Sequence, residues 1–412
     1  MDYAGLYGKH KDYSKYEQRL RNLRQEHSKL FGVDAQMLFS SPGRCELGGN
    51  HTDHNLGRVI ASAIDLDTVA AVHANSDNTV VFHSRGFDTV SIDITDTDPV
   101  KRERETTASL IRGIAASIGR RGGKVGGFSA NVESSVLAGS GLSSSASVEV
   151  LIGSIFNELY NGGRFSTTEL AIMGQEAENN YFGKPCGLMD QIACANGGIV
   201  GIDFKNPAKP VITPVVSDFA SYGYTLVIVN TGGSHADLTS DYASIPAEMK
   251  SVAAFFSKTC LGELDSKVFY DNLYEVRKAM KNDRAVLRAM HFFEENLRVD
   301  AMVAALKAGD FDTYLKVVRE CGRSSATFLQ NLFSPSSPYA QGLSVALAAS
   351  EHFLGKKGAC RLQGGGFAGT VQAYVPLDVL GKYIRKMEGI FGEGCCTVVG
   401  VRSLPALGIR TI

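Results

Sequence analysis

Nine residues, Gly139-Ser-Gly-Leu-Ser-Ser-Ser-Ala-Ser147, constrain this chain more than any other segment. Two glycines precede three consecutive serines, and the apolar run Val148–Phe156 behind them reads as a helix. A glycine-rich turn that opens a helix gathers backbone N–H groups at one point, and the helix dipole favours negative charge there. Serine hydroxyls add donors to phosphate oxygens, or a ligand to Mg²⁺. Gly127-Phe-Ser-Ala-Asn-Val-Glu133 reads as a strand that feeds the turn, so the order is strand, Gly/Ser loop, helix. That order predicts an α/β unit whose occupant is a nucleotide phosphate. The Gly-Lys-Ser/Thr of the P-loop does not occur in the chain, and this stretch lacks the full Gly-x-Gly-x-x-Gly of dinucleotide folds and protein kinases. Alone, the stretch also reads as a Ser/Gly linker; the apolar run behind it argues against that.

At 412 residues the chain is long for one domain, and 44% hydrophobic residues supply a substantial core. A composition shift over 205–223 suggests a boundary, giving 1–205 and 206–412 as the expected domains. Net charge is −1 and no basic block is longer than Lys101-Arg-Glu-Arg104, which argues against nucleic acid as a partner. No apolar run has membrane-spanning length. The polar N-terminus carries no signal-peptide pattern. Eight cysteines form no Cys-x-x-Cys pair, so zinc is not expected. They read as reduced thiols of a cytoplasmic protein.

Helical spacing covers 12–31, 107–118, 167–182 (with Ser166 as N-cap), most of 246–308, and 311–330. Alternating charges over 246–308 read as a solvated surface. Strands are expected at 36–42, 68–73, 79–83, 89–94, 197–204, 224–230 and 370–375.

Three more clusters carry chemistry. Ser41–Gly57 packs Arg44, Asn50, His51, Asp53, His54 and Asn55 between glycines, which suits a polyhydroxylated ligand or, taken alone, simple turn chemistry. Glu178–Gln191 brings Glu178 and Asp190 near a Gly/Pro turn. Such a pair could hold Mg²⁺ and orient a hydroxyl, or be surface acids. Gly364-Gly-Gly-Phe-Ala-Gly369 allows close backbone approach, or makes a tight hairpin.

Together and in this order, the four segments resemble the GHMP kinases, the sugar and small-metabolite kinases that include galactokinase, homoserine kinase and the mevalonate and phosphomevalonate kinases. The Pro-Gly-Arg…Gly-x-His-Thr-Asp-x-Asn and Gly-x-Pro-Cys-Gly-x-Met-Asp-Gln patterns look most like the galactokinase branch. The resemblance implies a two-domain α/β (α+β) fold with the active site in the interdomain cleft. It implies phosphoryl transfer from ATP, with Mg²⁺, to the anomeric hydroxyl of galactose, in a monomer or weak dimer. Asp190 would be the catalytic carboxylate and Arg44 its partner at the transferring phosphoryl. Gly139, Ser140, Gly141, Leu142, Ser143, Ser144, Ser145 and Ala146 would cradle the ATP phosphates, while Ser145 and Glu178 would hold Mg²⁺. Asn50, His51, Asp53, Gly187 and Tyr242 would contact the sugar.

The chain departs from the pattern at the sugar loop. Galactokinases mostly have Gly-Glu-His-Thr-Asp-Tyr; here it is Gly49-Asn-His-Thr-Asp-His54. Asn50 replaces the Glu that binds the C6 hydroxyl, so altered tolerance at C6 is expected, with galacturonate or N-acetylgalactosamine as alternative substrates. Plant galacturonate kinases are similar in having a non-acidic residue there and His after Asp. Leu137 stands near the place of the usual Pro before the loop. The Trp that many relatives carry ahead of the loop is absent, its counterpart lying around Ser109–Gly113. A non-catalytic sugar and ATP sensor is the alternative from another class; the known sensors lose the Ser-Ala pair that this chain keeps at Ser145-Ala146.

Overall fold

The structure is a computed structural model that describes residues 1–9, 12–136, 141–233 and 238–410. The described residues form two sheets. The larger is built from β1 (Met37–Gly48), β2 (Arg58–Ala74), β3 (Thr79–Ser84), β4 (Val90–Asp93), β5 (Phe128–Ser134), β6 (Ile199–Asp203) and β7 (Val211–Val215). The smaller contains β8 (Tyr224–Asn230), β9 (Ala359–Gln363), β10 (Thr370–Pro376) and β11 (Cys396–Val399) in the order β11-β8-β10-β9. The last strand, β12 (Leu407–Arg410), returns to the larger sheet beside β1, whose order is then β12-β1-β2-β5-β3-β4. β2 is long enough for two partners on one edge. Its Arg58–Ser62 half pairs with β6, which carries β7, and its Thr68–Ala74 half pairs with β5. Pairing is antiparallel except between β3 and β5.

Six helices accompany the larger sheet: α1 (Tyr3–Tyr7), α2 (Ser14–Phe31), α3 (Thr107–Arg120), α4 (Ser144–Asn161), α5 (Thr167–Ala177) and α6 (Met189–Asn196). Seven follow: α7 (Thr239–Phe255), α8 (Ser266–Asp271), α9 (Leu273–Met280), α10 (Asp283–Ala308), α11 (Phe311–Ser324), α12 (Gly342–Leu354) and α13 (Leu380–Phe391). One core lies under α3–α5 and contains Phe39, Phe82, Ile111, Phe128 and Phe156. Another joins the two sheets through Leu47, Ile60, Ile228, Met302, Tyr314 and Tyr374. A shared apolar core, the return of β12, and α10 packed between the halves fix one sheet against the other. The Ser109–Gly113 segment is buried in α3, where a methyl on Gly113 would meet Ala177 Cβ at 2.8 Å, so it serves close packing of α3 on α5. No described helix is long and apolar enough to cross a membrane.

Several expectations change in the structure. Ser166 does cap α5, in a reciprocal capping box with Glu169. The helix expected to reach residue 182 instead ends at Ala177 and continues as a π-turn over Glu178–Phe182. The α11 segment ends the same way over Ser325–Leu329. The segment 246–308 is mostly helix as expected, but the reading of its charges as solvated is corrected in part: α10 buries Arg288, His291 and Glu295. Those residues recur at three- and four-residue spacing, so they share the inward face of α10. There they find partners: Arg288 meets Glu248 at 2.8 Å and Glu295 meets Arg298 at 2.7 Å.

On α2, buried His27 Nε2 lies 2.8 Å from His73 Nδ1 of β2. Burial, then the neighbouring His73, pulls the His27 imidazole down to about 4; burial also lowers His73. An unfolded His titrates near pH 6.5, so the pair supports the fold fully above that pH and loses its contribution as pH falls toward 4. We expect the wild type to lose about 1 kcal/mol between pH 7.5 and 5.5 from His27 alone, measured by urea denaturation. His27→Leu should flatten that slope; an unchanged slope would contradict the assignment.

Candidate active site

The site begins where β1 breaks. Its register on β2 shifts between Pro42 and Arg44, because Pro42 has no N–H for the ladder. Gly43 lets the phosphate loop approach: a methyl there would meet Leu142 O at 2.9 Å, and Arg44 N donates to that carbonyl at 3.0 Å. The bulge directs Arg44 at Asp190, with Nε donating to Oδ1 and Nη2 to Oδ2, both at 2.7 Å. Arg44 Nη1 donates to Gly141 O, and the Ser143 hydroxyl donates to Asp190 Oδ2. Asp190 lies in the first turn of α6, where the helix dipole favours an anion. Burial alone would raise its pKa. The Arg44 guanidinium, its hydrogen bonds and the Ser143 hydroxyl outweigh burial and hold the carboxyl below the usual Asp value.

The described part of the Gly/Ser loop has Gly141 and Ser143 at positive φ, and α4 starts at Ser144. Leu142 and Ala146 are buried and anchor the turn, leaving the α4 N-terminus beside Asp190. Gly139 and Ser140 lie outside the described residues, as does Leu137. Ser145 Oγ stands 3.5 Å from Glu178 Oε1, and Lys184 Nζ lies 3.3 Å from the same oxygen. Gln191 Nε2 donates to Glu178 Oε2 at 3.0 Å and to Glu149 Oε2 at 2.9 Å. Burial, reinforced by Glu178, pushes the Glu149 carboxyl well up. The lysine ammonium against Glu178 marks a place where a cation sits, and a hydroxyl beside a carboxylate suits a hard ion such as Mg²⁺. Among the described residues no three His, Cys, Asp or Glu side chains cluster to hold a metal by themselves. Mg²⁺ needs no such cluster, since it takes one or two carboxylates with substrate phosphates and water.

On the other side of Asp190 lies the sugar loop. Asp53 packs against Gly187, where any Cβ would overlap its carboxylate. Burial raises the Asp53 pKa, offset by His51 and reinforced by Asp190. Asn50 is fully buried; its Nδ2 donates to Glu46 Oε1 at 3.0 Å and to Gly364 O at 2.8 Å. Its Oδ1 accepts from Asn331 Nδ2 at 2.8 Å. His51 Nε2 donates to Gly365 O at 2.9 Å, and Tyr242 Oη donates to Gly366 O at 2.8 Å. Three successive carbonyls of the last glycine turn are thus taken by three residues expected at the sugar. From α10, Glu295 Oε1 accepts from Gly49 N at 3.1 Å and His291 Nε2 donates to Asn50 O at 2.9 Å.

The structure therefore gathers Arg44, Asp190, Ser143, Ser145 and Glu178 at one end, and Asn50, His51, Asp53, Gly187 and Tyr242 around the other. Residues not singled out from the sequence complete it: Glu46, Glu149, Lys184, Gln191, Asn331 and Arg361. Gln191 follows Asp190 directly, and Lys184 lies inside the Glu178–Gln191 segment, so both were within reach of a local reading. Arg361 meets Glu46 at 2.7 Å across 315 positions, and no local signal announces that pair.

Residues 25–74 match the model described as the galactokinase galactose-binding signature, and residues 109–198 match the GHMP kinases N terminal domain. The fold is similar to that of Lactococcus lactis galactokinase complexed with galactose, at TM-score 0.80 and 23% identity over 95% of this chain and 100% of that one. It is also similar to Methanococcus jannaschii mevalonate kinase, at TM-score 0.63 and 15% identity over 89% and 98% of the two chains. Streptococcus pneumoniae phosphomevalonate kinase, in complex with phosphomevalonate and AMPPNP, matches at TM-score 0.58 and 12% identity over 90% and 99%.

Proposed function

The chain belongs to the GHMP kinases, and from that premise we propose that it transfers the γ-phosphoryl of ATP to the anomeric hydroxyl of galactose. The observation that carries this reading is the convergence on Asp190. Arg44 from the sugar loop's strand and Ser143 from the phosphate loop both bond its carboxylate. One ionised oxygen pair therefore lies between the place for a sugar and the place for a phosphate.

Phosphoryl transfer asks the protein mainly for positioning and charge stabilisation. The N–H groups at the start of α4, with the Ser143, Ser144 and Ser145 hydroxyls, bind phosphate oxygens. Arg44 keeps Asp190 ionised, so Asp190 accepts the hydrogen bond of the anomeric hydroxyl and aims that oxygen at phosphorus. A carboxylate held this acidic takes the proton only as the new O–P bond forms. Lys184 adds positive charge at the transferring group. Ser145 and Glu178 would hold Mg²⁺, which when bound neutralises charge on the phosphates. Asp53, fixed against Gly187, and Tyr242 serve the sugar hydroxyls.

The test is ADP release with Mg-ATP and a panel of galactose, galacturonate, N-acetylgalactosamine, glucose and talose, with the product identified by ³¹P NMR. Turnover on galactose giving the 1-phosphate is expected. Preference for another galacto-configured sugar would move the substrate within the same chemistry. Silence across the panel with ATP still bound would favour a sensor.

Gly187 supplies a second check. Its backbone is of ordinary conformation, so Gly187→Ala should fold normally while the new methyl displaces the Asp53 carboxylate. Loss of a charged acceptor is worth about 1.5–3 kcal/mol, so kcat/KM for the sugar should fall roughly 10–100-fold with KM for ATP unchanged. Equal losses for both substrates would remove Asp53 from the sugar site.

A further inference from the structure

His54 stands where galactokinases mostly have Tyr, and its ring completes a chain of hydrogen bonds whose direction is determined from both ends. At one end Asn55 Nδ2 donates to His54 Nδ1 at 2.9 Å. That Asn orientation is set by its neighbours: Leu261 N donates to its Oδ1 at 3.4 Å, and Met249 Sδ accepts from its Nδ2 at 3.3 Å. His54 Nδ1 is therefore the acceptor and its proton lies on Nε2. That Nε2 faces His51 Nδ1 at 3.2 Å. At the other end His51 Nε2 meets Gly365 O at 2.9 Å, and a carbonyl can only accept. His51 must then carry its proton on Nε2 and accept on Nδ1. Both ends require the same arrangement, with one proton per ring. Burial supports it by pulling His51 down to about 3 and His54 to about 4, so both rings are neutral at pH 7.

We propose that His54 is a positioning residue for the sugar site: its Nε2–H fixes the tautomer of His51 and thereby holds the sugar loop on the Gly364–Gly366 turn. The consequence reaches the ligand because His51 lies two residues before Asp53, and because the turn it grips also carries Asn50 at Gly364 O and Tyr242 at Gly366 O. With both ring nitrogens engaged, His51 acts on the sugar through the loop it pins. A Tyr at position 54 has one hydroxyl and no ring nitrogen, so it could not accept from Asn55 and donate to His51 from opposite sides of the same ring. The effect on sugar binding rests on the proposed galactose chemistry; the tautomer does not.

The experiment uses the full chain labelled with ¹⁵N-histidine. Two-bond ¹H–¹⁵N spectra of the free protein report which nitrogen of each ring is protonated. His51 and His54 should both be of the Nε2–H form, assigned by loss of signals in His51→Gln and His54→Phe. His54→Phe keeps a ring but no donor, whereas His54→Gln keeps an N–H near the Nε2 position. Loss of one hydrogen bond of about 1 kcal/mol predicts a roughly 5-fold or greater rise in galactose KM for His54→Phe. KM for ATP should stay unchanged, and His54→Gln should recover most of the loss. An Nδ1–H form of His51 in the wild type, equal defects in the Phe and Gln variants, or no rise in sugar KM for Phe would each overturn the proposal. If galactose is not the substrate, the tautomer result stands and the kinetics move to whichever sugar the panel selects.

Discussion

Replacing Asp190 with Ala is expected to lower turnover by about 10³–10⁴-fold while nucleotide binding stays near wild type. The reason is where Asp190 acts. Its oxygens are set by Arg44 and Ser143 and, in the proposed reaction, face the reacting hydroxyl, whereas the α4 N-terminus and the serine hydroxyls proposed to hold phosphate do not depend on it. A group whose interaction matters chiefly in the transition state shows its loss in kcat more than in KM. The substitution also leaves Arg44 buried without its carboxylate, a cost to stability that thermal denaturation would reveal. Removing Arg44 as well should repair that stability without restoring activity. The double variant is therefore expected to be no slower than Asp190→Ala alone, because the two residues act as a unit. Additive losses would show that Arg44 serves the phosphoryl group independently. Lost ATP binding with full turnover at saturation would remove Asp190 from the chemistry altogether.

The second large effect concerns Asn50. The departure from the usual Glu suggests, from sequence, a change in what the C6 position tolerates. In the structure the Asn side chain is fully buried and spends every polar atom on protein. Two of its three neighbours, the Glu46 carboxylate and the Gly364 carbonyl, accept hydrogen bonds and require N–H donors. A carboxylate of the same shape supplies none. Asn50→Asp should therefore cost about 3–5 kcal/mol at pH 7, from two lost donors and a buried charge facing another acid.

The pH dependence carries its own sign. The new carboxyl would be held protonated in the folded state, with its pKa raised above the unfolded value near 3.9. The deficit should then be smallest below pH 4 and grow as pH rises. Asn50→Glu should behave likewise, losing stability rather than exchanging galacturonate for galactose. A Glu variant that is as stable as wild type and shifts preference between the two sugars would return Asn50 to the C6 contact.

Much of this site is legible along the chain because its phosphate and sugar elements are local. The glycine-serine turn between a strand and a helix, the polar loop after Pro42-Gly43, and the acids near 178–190 each lie within one short segment. Torsional freedom at glycine and the N–H groups of a helix start are properties of such segments. Even there, tertiary packing changed details. Glu178 heads a π-turn rather than ending a regular helix. Ser143, expected only at phosphate, bonds the Asp190 carboxylate.

Sequence alone therefore determined the chemistry on offer: an anion-binding helix start, a sugar-like loop of donors and acceptors, two carboxylates, and an order of motifs that resembles the GHMP kinases. Tertiary structure alone decided which of these groups meet. Arg44 reaches Asp190 across 146 positions, Asn50 reaches Gly364 across 314, and β12 closes on the first strand of its sheet. It also turned charges that look solvated on α10 into buried partners of the sugar loop, as Glu295 and His291 hold Gly49 and Asn50. The physical reason is that periodicity reports one element's own faces. A buried donor or acceptor is justified only by its partner, and a partner hundreds of residues away leaves no trace in local sequence.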